Sequence, residues 1–312
     1  METVINVTLP IFAIISLGYL AGYWKILGDG SADALNRYVF LFALPPAMFF
    51  FTSRAEVSQV LNFNFMATYC LGMILTAGLA VLVASTFFGA AKERSAFHGF
   101  LSIFANAGYM GIPLFLTAFG PDGVVPAIIA SLVGGIGSMI FIMTALEFFR
   151  AGSGSVVHLL LGIWRVVSRN PLFIATGLGI LFSALAIPVP KSAENLLEML
   201  AGTAGPTALF ALGLSLVHSK ILGDMLEVTW IVFLKLIVQP VFTWLIATQL
   251  FTTGPFWTAS VILLAAMPVG STAFVIAQQY GVAAKISSAS VALSTIGSVI
   301  TLTLLMIYFG IS

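Results

Sequence analysis

Long apolar stretches alternate with short polar connections along the whole of this chain. The hydrocarbon core of a bilayer requires about 20 apolar residues per helix. The segments that reach this length are residues 4–23, 34–53, 63–89, 97–119, 124–149, 170–187, 193–218, 226–251, 257–280 and 286–310. The connections leave no room for a soluble domain, so the pattern predicts an all-α integral membrane protein with ten transmembrane helices.

Composition agrees with a membrane protein and excludes several other classes. The chain is 60% hydrophobic and only 7% charged, whereas a soluble domain is about 25% charged. The net charge of +1 gives no reason to expect nucleic acid as a partner. No metal-ligand spacing links His98, His158 and His218, and no phosphate-binding Gly-x-x-x-x-Gly-Lys loop occurs. We therefore expect no cofactor, no metal and no enzymatic activity, and we interpret Cys70, in an apolar run, as a core residue.

Lysine and arginine residues in the connections predict how the helices are oriented. Two of them, Arg54 and Lys191, fall on one side of the predicted bundle. The other side holds Lys25, Arg37, Lys92, Arg94, Arg150, Arg165, Arg169, Lys220 and Lys285. Basic residues concentrate in cytoplasmic loops, so both termini are expected outside the cytoplasm, in a cell inner (plasma) membrane. The N-terminus has neither a basic region nor a cleavage site, which indicates a retained helix rather than a signal peptide.

The two halves of the chain repeat each other weakly but in the same order. Residues 1–150 would form the first repeat of five helices and residues 170–312 the second, joined by a cytoplasmic linker at 151–169. The matching pieces are Pro10-Ile-Phe with Pro171-Leu-Phe, Leu17-Gly18 with Leu178-Gly179, Ser31–Leu35 with Ser192–Leu196, Pro45 with Pro206, Ile136–Ile140 with Ile296–Ile300, and Pro113 with Pro268. Because five is an odd number, the repeats insert upside down relative to each other, as in many secondary transporters.

Two of the apolar segments contain helix breakers at mid-membrane depth. The stretch from Ala105 to Phe119 includes Pro113, and the stretch from Ala265 to Thr272 includes Pro268. A proline removes a backbone donor and clashes with the preceding turn, so each is predicted to divide its segment into two half-helices. Half-helix N-termini carry positive partial charge, and two that converge would attract an anion.

Several motifs resemble those of the auxin efflux carrier family, which includes plant auxin exporters and bacterial carriers of malonate, malate and related acids. They are Asn106-Ala-Gly-Tyr-Met-Gly-Ile-Pro113, Phe274-Val-Ile-Ala-Gln-Gln-Tyr-Gly281, Leu209-Phe-Ala-Leu-Gly213, Phe40-Leu-Phe-Ala-Leu-Pro45, Glu147-Phe-Phe-Arg150 and the segment from Lys235 to Pro240. The resemblance spans the whole chain. The long cytoplasmic loop of many plant members is absent, so the chain looks like the short bacterial form.

The resemblance implies a fold like that of sodium/proton antiporters and bile-acid symporters. In that fold, helices 4 and 9 are broken and cross at the midplane. Helices 1, 2, 6 and 7 would form a scaffold and a homodimer interface, and helices 3–5 and 8–10 would form a moving transport domain. In plant members Asn-Pro is commonly followed by a second Asn that helps bind auxin. Here Leu172 follows Asn170-Pro171, which counts against auxin itself.

The candidate substrate-binding residues lie at the two breaks. They are Asn106, Gly108, Tyr109, Gly111, Pro113, Pro268, Gly270, Ser271 and Thr272. The Asn106 amide would contact a substrate carboxylate or the free backbone groups of the break; the alternative is an ordinary interhelical hydrogen bond. The glycines allow close backbone approach, at the crossing or simply between packed helices. The Ser271 and Thr272 hydroxyls either bind substrate or bond to their own helix.

Charged residues within the apolar segments are few, and each has two interpretations. Lys235 would balance the charge of the substrate or pair with Glu147; alternatively it extends to the membrane interface. Gln239 lies one turn beyond Lys235 on the same helix face. Glu147 would take part in charge balance or coupling, or would form an ion pair with Arg150 near the surface.

These features together predict a secondary active transporter of a small organic anion, with an elevator-type alternating-access mechanism and a proton or sodium as possible coupling ion. Two rivals remain open at this point. One is a sodium/proton antiporter or a sodium-coupled bile-acid-like symporter, although the apolar segments lack the carboxylate relay of a dedicated cation exchanger. The other is a membrane sensor or channel built on a carrier fold.

Overall fold

The computed structural model of the chain describes residues 2–28, 30–151, 161, 164, 167–217, 224–251 and 253–311. In this part of the chain the regular structure is helical. The helices are α1 (Glu2–Tyr23), α2 (Ser31–Thr52), α3 (Phe63–Thr86), α4a (Lys92–Ile103), α4b (Ala107–Phe119), α5 (Val125–Ala151), α6 (Pro171–Ala184), α7 (Lys191–Leu216), α8 (Met225–Gln249), α9a (Pro255–Ala265), α9b (Ala273–Tyr280) and α10 (Ala284–Tyr308), with short turns at Val57–Val60 and Pro121–Gly123.

Every predicted apolar segment is largely helical. The bilayer core offers no water to the backbone N–H and C=O groups, so an apolar segment satisfies them by hydrogen bonds within its own helix. Seven of the described helices are long and apolar enough to cross a bilayer on their own, and Ala107–Phe119, Pro171–Ala184 and Pro255–Ala265 are shorter apolar helices. The all-α membrane class is therefore confirmed, whereas ten crossings stay a prediction.

Parts of the predicted cytoplasmic side lie outside the described residues. They are most of the linker 151–169, including His158 and Arg165, together with His218, Lys220 and the side chain of Arg150. The two basic residues assigned to the opposite side lie together, since Arg54 and Lys191 both pair with Glu194, Lys191 at 2.9 Å.

Three of the described helices contain a single widened π turn, and a proline follows each of these turns at the same distance. The turns and their prolines are Val39–Ala43 with Pro45 in α2, Ala107–Gly111 with Pro113 in α4b, and Leu234–Val238 with Pro240 in α8. A proline has no amide hydrogen, and its ring collides with the carbonyl four residues earlier. The wider turn relieves both conflicts, so each helix continues past its proline.

This corrects the predicted place of the first break. Pro113 does not divide its segment, because the π turn before it accommodates the proline inside α4b. The non-helical break instead comprises residues 104–106, and α4b begins directly after it, at Ala107. The second break, at residues 266–272, does contain Pro268 as predicted. Pro113 and Pro268 therefore do not occupy equivalent places in the two halves.

The helices assigned to the scaffold pack in two close pairs. Between α1 and α7, a Cβ atom on Gly18 would collide with the carbonyl of Phe210, and one on Gly213 with the carbonyl of Ile15. Between α2 and α6, a Cβ atom on Gly179 would collide with Thr52. Small residues at helix crossings allow the backbones to approach this closely within a membrane.

The α1–α7 contact predicts a position-dependent effect of adding one methyl group. Gly213→Ala should lower the melting temperature in detergent, because the clash with Ile15 exceeds the ~1 kcal/mol gained from helix propensity. Gly202→Ala, in the same helix but with open space around its Cβ position, should leave the melting temperature unchanged or raise it. Equal melting temperatures for the two variants would contradict the packing.

Candidate functional site

The two breaks meet in the middle of the helix bundle and bond to each other. Ala105 and Val269 form an antiparallel bridge. The amide of Asn106 donates to the carbonyl of Pro268 at 2.8 Å, and the amide of Gly270 donates to the carbonyl of Phe104, also at 2.8 Å. Backbone groups that neither half-helix can satisfy are thus paired across the crossing, which is the condition for irregular backbone at this depth.

Two side chains hold the second break from outside. The Ser294 hydroxyl of α10 accepts from the amide of Val269 at 3.0 Å. The Lys235 ammonium donates to the carbonyl of Ala265, the last residue of α9a, at 2.6 Å, and to Gln239 Oε1 at 2.6 Å. A cation at a helix C-terminus compensates the negative end of the helix dipole, so Lys235 stabilises the end of α9a.

The placement of Lys235 decides between its earlier interpretations. Its side chain is 0% exposed, so the alternative that it extends to the interface is wrong. Its bonding partners are Gln239, as the helical spacing predicted, and Ala265 rather than Glu147. Glu147 is half-buried on α5, and its predicted pairing with Arg150 falls on a side chain outside the described residues.

A cavity of about 280 Å³ lies beside the crossing. Six of the predicted site residues line it. They are Asn106, Gly108, Tyr109, Gly270, Ser271 and Thr272. The remaining wall is contributed by Phe40, Leu44, Phe104, Ala105, Ser131, Leu132, Gly135, Ile136, Met139, Asn170, Leu172 and Phe173.

Three predicted site residues stand behind the cavity wall. A Cβ atom on Gly111 would lie 3.1 Å from Leu264, so this glycine allows α4b to pack against α9a. The Cβ atom of Pro113 lies 3.4 Å from the Cβ position of Gly205 in α7. Pro268 contributes its carbonyl to the bridge. These residues shape the crossing, and none of them is among the residues that line the cavity.

Asn106 combines burial with an unused hydrogen-bond donor. Its side chain belongs to the cavity wall and is 4% exposed, and its Nδ2 atom is buried with no partner among the described residues. Leaving such a group unsatisfied costs about 1–3 kcal/mol. An acceptor atom on a ligand in the cavity would remove that cost.

The beginnings of two half-helices also face this cavity. Gly108 and Tyr109 belong to the first turn of α4b, and Ser271 and Thr272 directly precede α9b. First-turn amides have no partner within their own helix, and they carry positive partial charge. None of the described residues that line the cavity is charged, so the positive potential here comes from backbone amides.

Sequence reasoning missed part of the cavity wall. Asn170 caps α6 by accepting from the amide of Leu172 at 2.9 Å, and its position before Pro171 is a recognisable helix-start signal. Ser131, in the second turn of α5, gave no such signal because only the tertiary fold brings it to the cavity. The Tyr109 hydroxyl reaches across to α2 and donates to the carbonyl of Asn36 at 3.3 Å.

Comparison with known proteins shows the family of this chain. Residues 3–306 match the sequence model of a family described as membrane transport protein. The chain belongs to this family. The predicted membership among auxin efflux carriers and their relatives is confirmed, and the protein is a transporter rather than an enzyme.

Relatives match this transporter over nearly its whole length. It is 30% identical over 309 residues to a Rhizobium meliloti (strain 1021) protein named "Putative malonate transporter", covering 97% of this chain and 95% of the relative. It is 25% identical over 304 residues to "Uncharacterized transporter YfdV" of Escherichia coli (strain K12), covering 94% and 93%. It is 24% identical over 342 residues to "Auxin efflux carrier component 5" of Arabidopsis thaliana, covering 98% and 96%.

Proposed function

We propose that this transporter is a secondary active carrier of a small organic anion, a malonate- or malate-like or an auxin-like carboxylate. The observation that carries the proposal is the uncharged cavity at the crossing, where the unpartnered Asn106 amide and the starts of α4b and α9b come together. A carboxylate would accept from Asn106 Nδ2 and from first-turn amides, which are the groups that anions bind at helix N-termini.

The chemistry of the cavity favours an anion over a cation. Its described polar side chains are amides and hydroxyls, and no carboxylate lines it to neutralise a bound sodium ion. Its volume of about 280 Å³ is close to the lower limit of roughly 300 Å³ for ligand pockets, which suits a small acid. The apolar wall, which includes Leu172 and Phe173, would contact the carbon skeleton of that acid.

The position of the cavity between two groups of helices supports an elevator-type mechanism. One wall comes from α2 and α6, through residues such as Phe40 and Asn170, and the other from α4b, α5 and the second break. In this mechanism α1, α2, α6 and α7 are the scaffold, and α3–α5 with α8–α10 carry the substrate across. The half-helix starts move with the anion, so they hold it in both orientations.

The proposal includes the remaining features of the predicted topology. Ten transmembrane segments form two inverted repeats in a cell inner membrane, with both termini outside the cytoplasm and a homodimer formed through the scaffold. The membrane potential, a proton or sodium supplies the driving force. A sodium/proton antiporter or sodium-coupled symporter of the same architecture is the alternative, and sodium-dependent thermal stabilisation without any carboxylate would support it.

Substitution of Asn106 tests the anion site. Asn106→Ala should weaken binding of malonate, malate or an auxin-like acid at least tenfold, because a hydrogen bond to a charged group contributes about 1.5–3 kcal/mol. Isothermal titration calorimetry and uptake into proteoliposomes would measure the loss. Asn62→Ala is the matched control, since Asn62 caps α3 through the amide of Phe65 at 3.0 Å and does not line the cavity. Unchanged affinity in Asn106→Ala would contradict the site.

A reversible cross-link tests the elevator motion. Pro113 and Gly205 lie on opposite sides of the proposed sliding interface, with 3.4 Å between their Cβ positions, which is near the separation of about 3.5–4.5 Å found in disulfides. In a Cys70→Ser background, Pro113→Cys with Gly205→Cys should form a disulfide on oxidation. Transport should then stop while substrate binding remains, and a reductant should restore transport.

The two single-cysteine variants are the controls for this cross-link, since oxidation should leave their transport rates unchanged. A fully cross-linked protein that transports as fast as its reduced form would rule out relative movement of α4b and α7.

A further inference from the structure

A second polar cluster joins α4a to α8, near the first residues of both helices and away from the cavity. His98 Nε2 lies 2.6 Å from Glu227 Oε2. Arg94 donates to the same carboxylate, from Nε to Oε2 at 3.0 Å and from Nη2 to Oε1 at 2.7 Å, and it also bonds to Asp224. The four-residue spacing places Arg94 and His98 on one face of α4a. No role in the proposed substrate site accounts for this cluster.

The cluster is buried at one end and open at the other. His98 is 0% exposed and Glu227 is 7% exposed. Arg94 and Asp224, by contrast, have exposed side chains. A buried ionisable pair in a membrane protein is expensive to maintain and indicates a function. Asp224 and Arg94 provide a path of polar groups between the buried pair and the surrounding solution.

Hydrogen-bond geometry fixes where a proton would bind. A carboxylate oxygen only accepts, so the Nε2 atom that contacts Glu227 carries the imidazole hydrogen. The Nδ1 atom then presents a free lone pair, and it is buried without a partner among the described residues. A proton would add to Nδ1 without breaking any bond. The Phe88 ring, 5.8 Å from the imidazole between centroids, lies within the range of about 6 Å for stabilising the resulting cation.

Charge balance within the cluster favours an added proton, whereas burial of the imidazole opposes its charged form. Arg94 offsets one of the two carboxylates, and the second stays unbalanced while the imidazole is neutral. The positive charge of Arg94 opposes a positive charge on His98. Asp224 pairs with Arg94 and offsets the charge of that guanidinium. Two further charged residues, Lys92 and Glu93, lie on α4a itself. The helices around α4a carry the other titratable side chains, which are Tyr69, Cys70, Glu147, Lys235 and Tyr280. The ring of Tyr280 contacts the ring of Phe97 on α4a, with 6.5 Å between the centroids.

We propose that His98 and Glu227 form a proton-binding site, and that a proton bound there strengthens anion binding at the crossing. The inference rests on the proposed anion-carrier function. His98 precedes the break at Phe104 by six residues, or about 9 Å along the helix axis. At an effective dielectric constant of about 20, a unit positive charge at this distance increases the affinity for a singly charged anion about twentyfold. Linkage makes the effect reciprocal, so anion binding increases proton occupancy.

Calorimetry in buffers of different ionisation enthalpy tests this linkage. Titration of malonate into the wild-type protein between about pH 5 and pH 8, where histidine titrates, should show uptake of a fraction of a proton per anion. His98→Gln keeps a donor for Glu227 but has no titratable nitrogen, so it should bind malonate without proton uptake and without the pH dependence of affinity that the wild type shows. Ser102→Ala, one turn further along α4a, should behave like the wild type.

Two results would overturn the proposal in this experiment. One is a binding heat that does not depend on the buffer at any pH in the range. The other is equal proton uptake by His98→Gln and the wild type. Either result leaves the carrier function intact, because malonate still binds.

Histidine NMR provides a readout that does not need a substrate. With His158 and His218 both replaced by glutamine, the only remaining imidazole belongs to His98, and its ring nitrogen shifts should titrate between about pH 5 and pH 8. If no carboxylate binds to the wild-type protein, the carrier proposal fails and this titration still tests the proton site. Shifts that stay constant over the whole range would exclude proton binding at His98.

Discussion

The fold depends on pairing backbone groups at the place where two helices are broken inside the bundle. Two amide-to-carbonyl bonds, between Asn106 and Pro268 and between Gly270 and Phe104, join the breaks. Without them, several donors and acceptors would be unsatisfied far from water, at a cost of several kcal/mol each. Ser294 and Lys235 each bond to one further backbone group, the amide of Val269 and the carbonyl of Ala265. The crossing is therefore bonded from both breaks, and its residues Phe104, Ala105, Asn106 and Gly270 line the cavity.

The same constraint explains how the proposed anion site can lack a charged side chain among its described lining residues. Breaking each helix exposes first-turn amides, whose partial charges act on the cavity. The C-terminal end of α9a has the opposite polarity, and the buried Lys235 ammonium compensates it by bonding to Ala265. Lys235 thus acts on the backbone, and Asn106 is the side chain with a free donor in the cavity wall. In the proposed function, a small carboxylate would bind through these fixed dipoles and the Asn106 amide.

Sequence predicts the helices well, because membrane length and apolar composition leave few alternatives, and it predicts that two helices are interrupted. It misplaces the first interruption, because the conflict caused by Pro113 is resolved by a π turn that depends on the local backbone. Asn106, Ser271 and Thr272, which motif and position single out in the sequence, line the cavity, and their role in substrate binding stays a prediction. Ser131 and the His98–Glu227 pair depend on contacts between distant parts of the chain, and no spacing in a single sequence encodes such contacts.

A structure of the protein with a bound carboxylate such as malonate tests the central claim most directly. The account predicts density for the acid at the crossing, with a carboxylate oxygen about 2.7–3.2 Å from Asn106 Nδ2 and a second contact at the start of α9b. Density for the acid at another place, or a carboxylate paired with Lys235 instead of these donors, would contradict it.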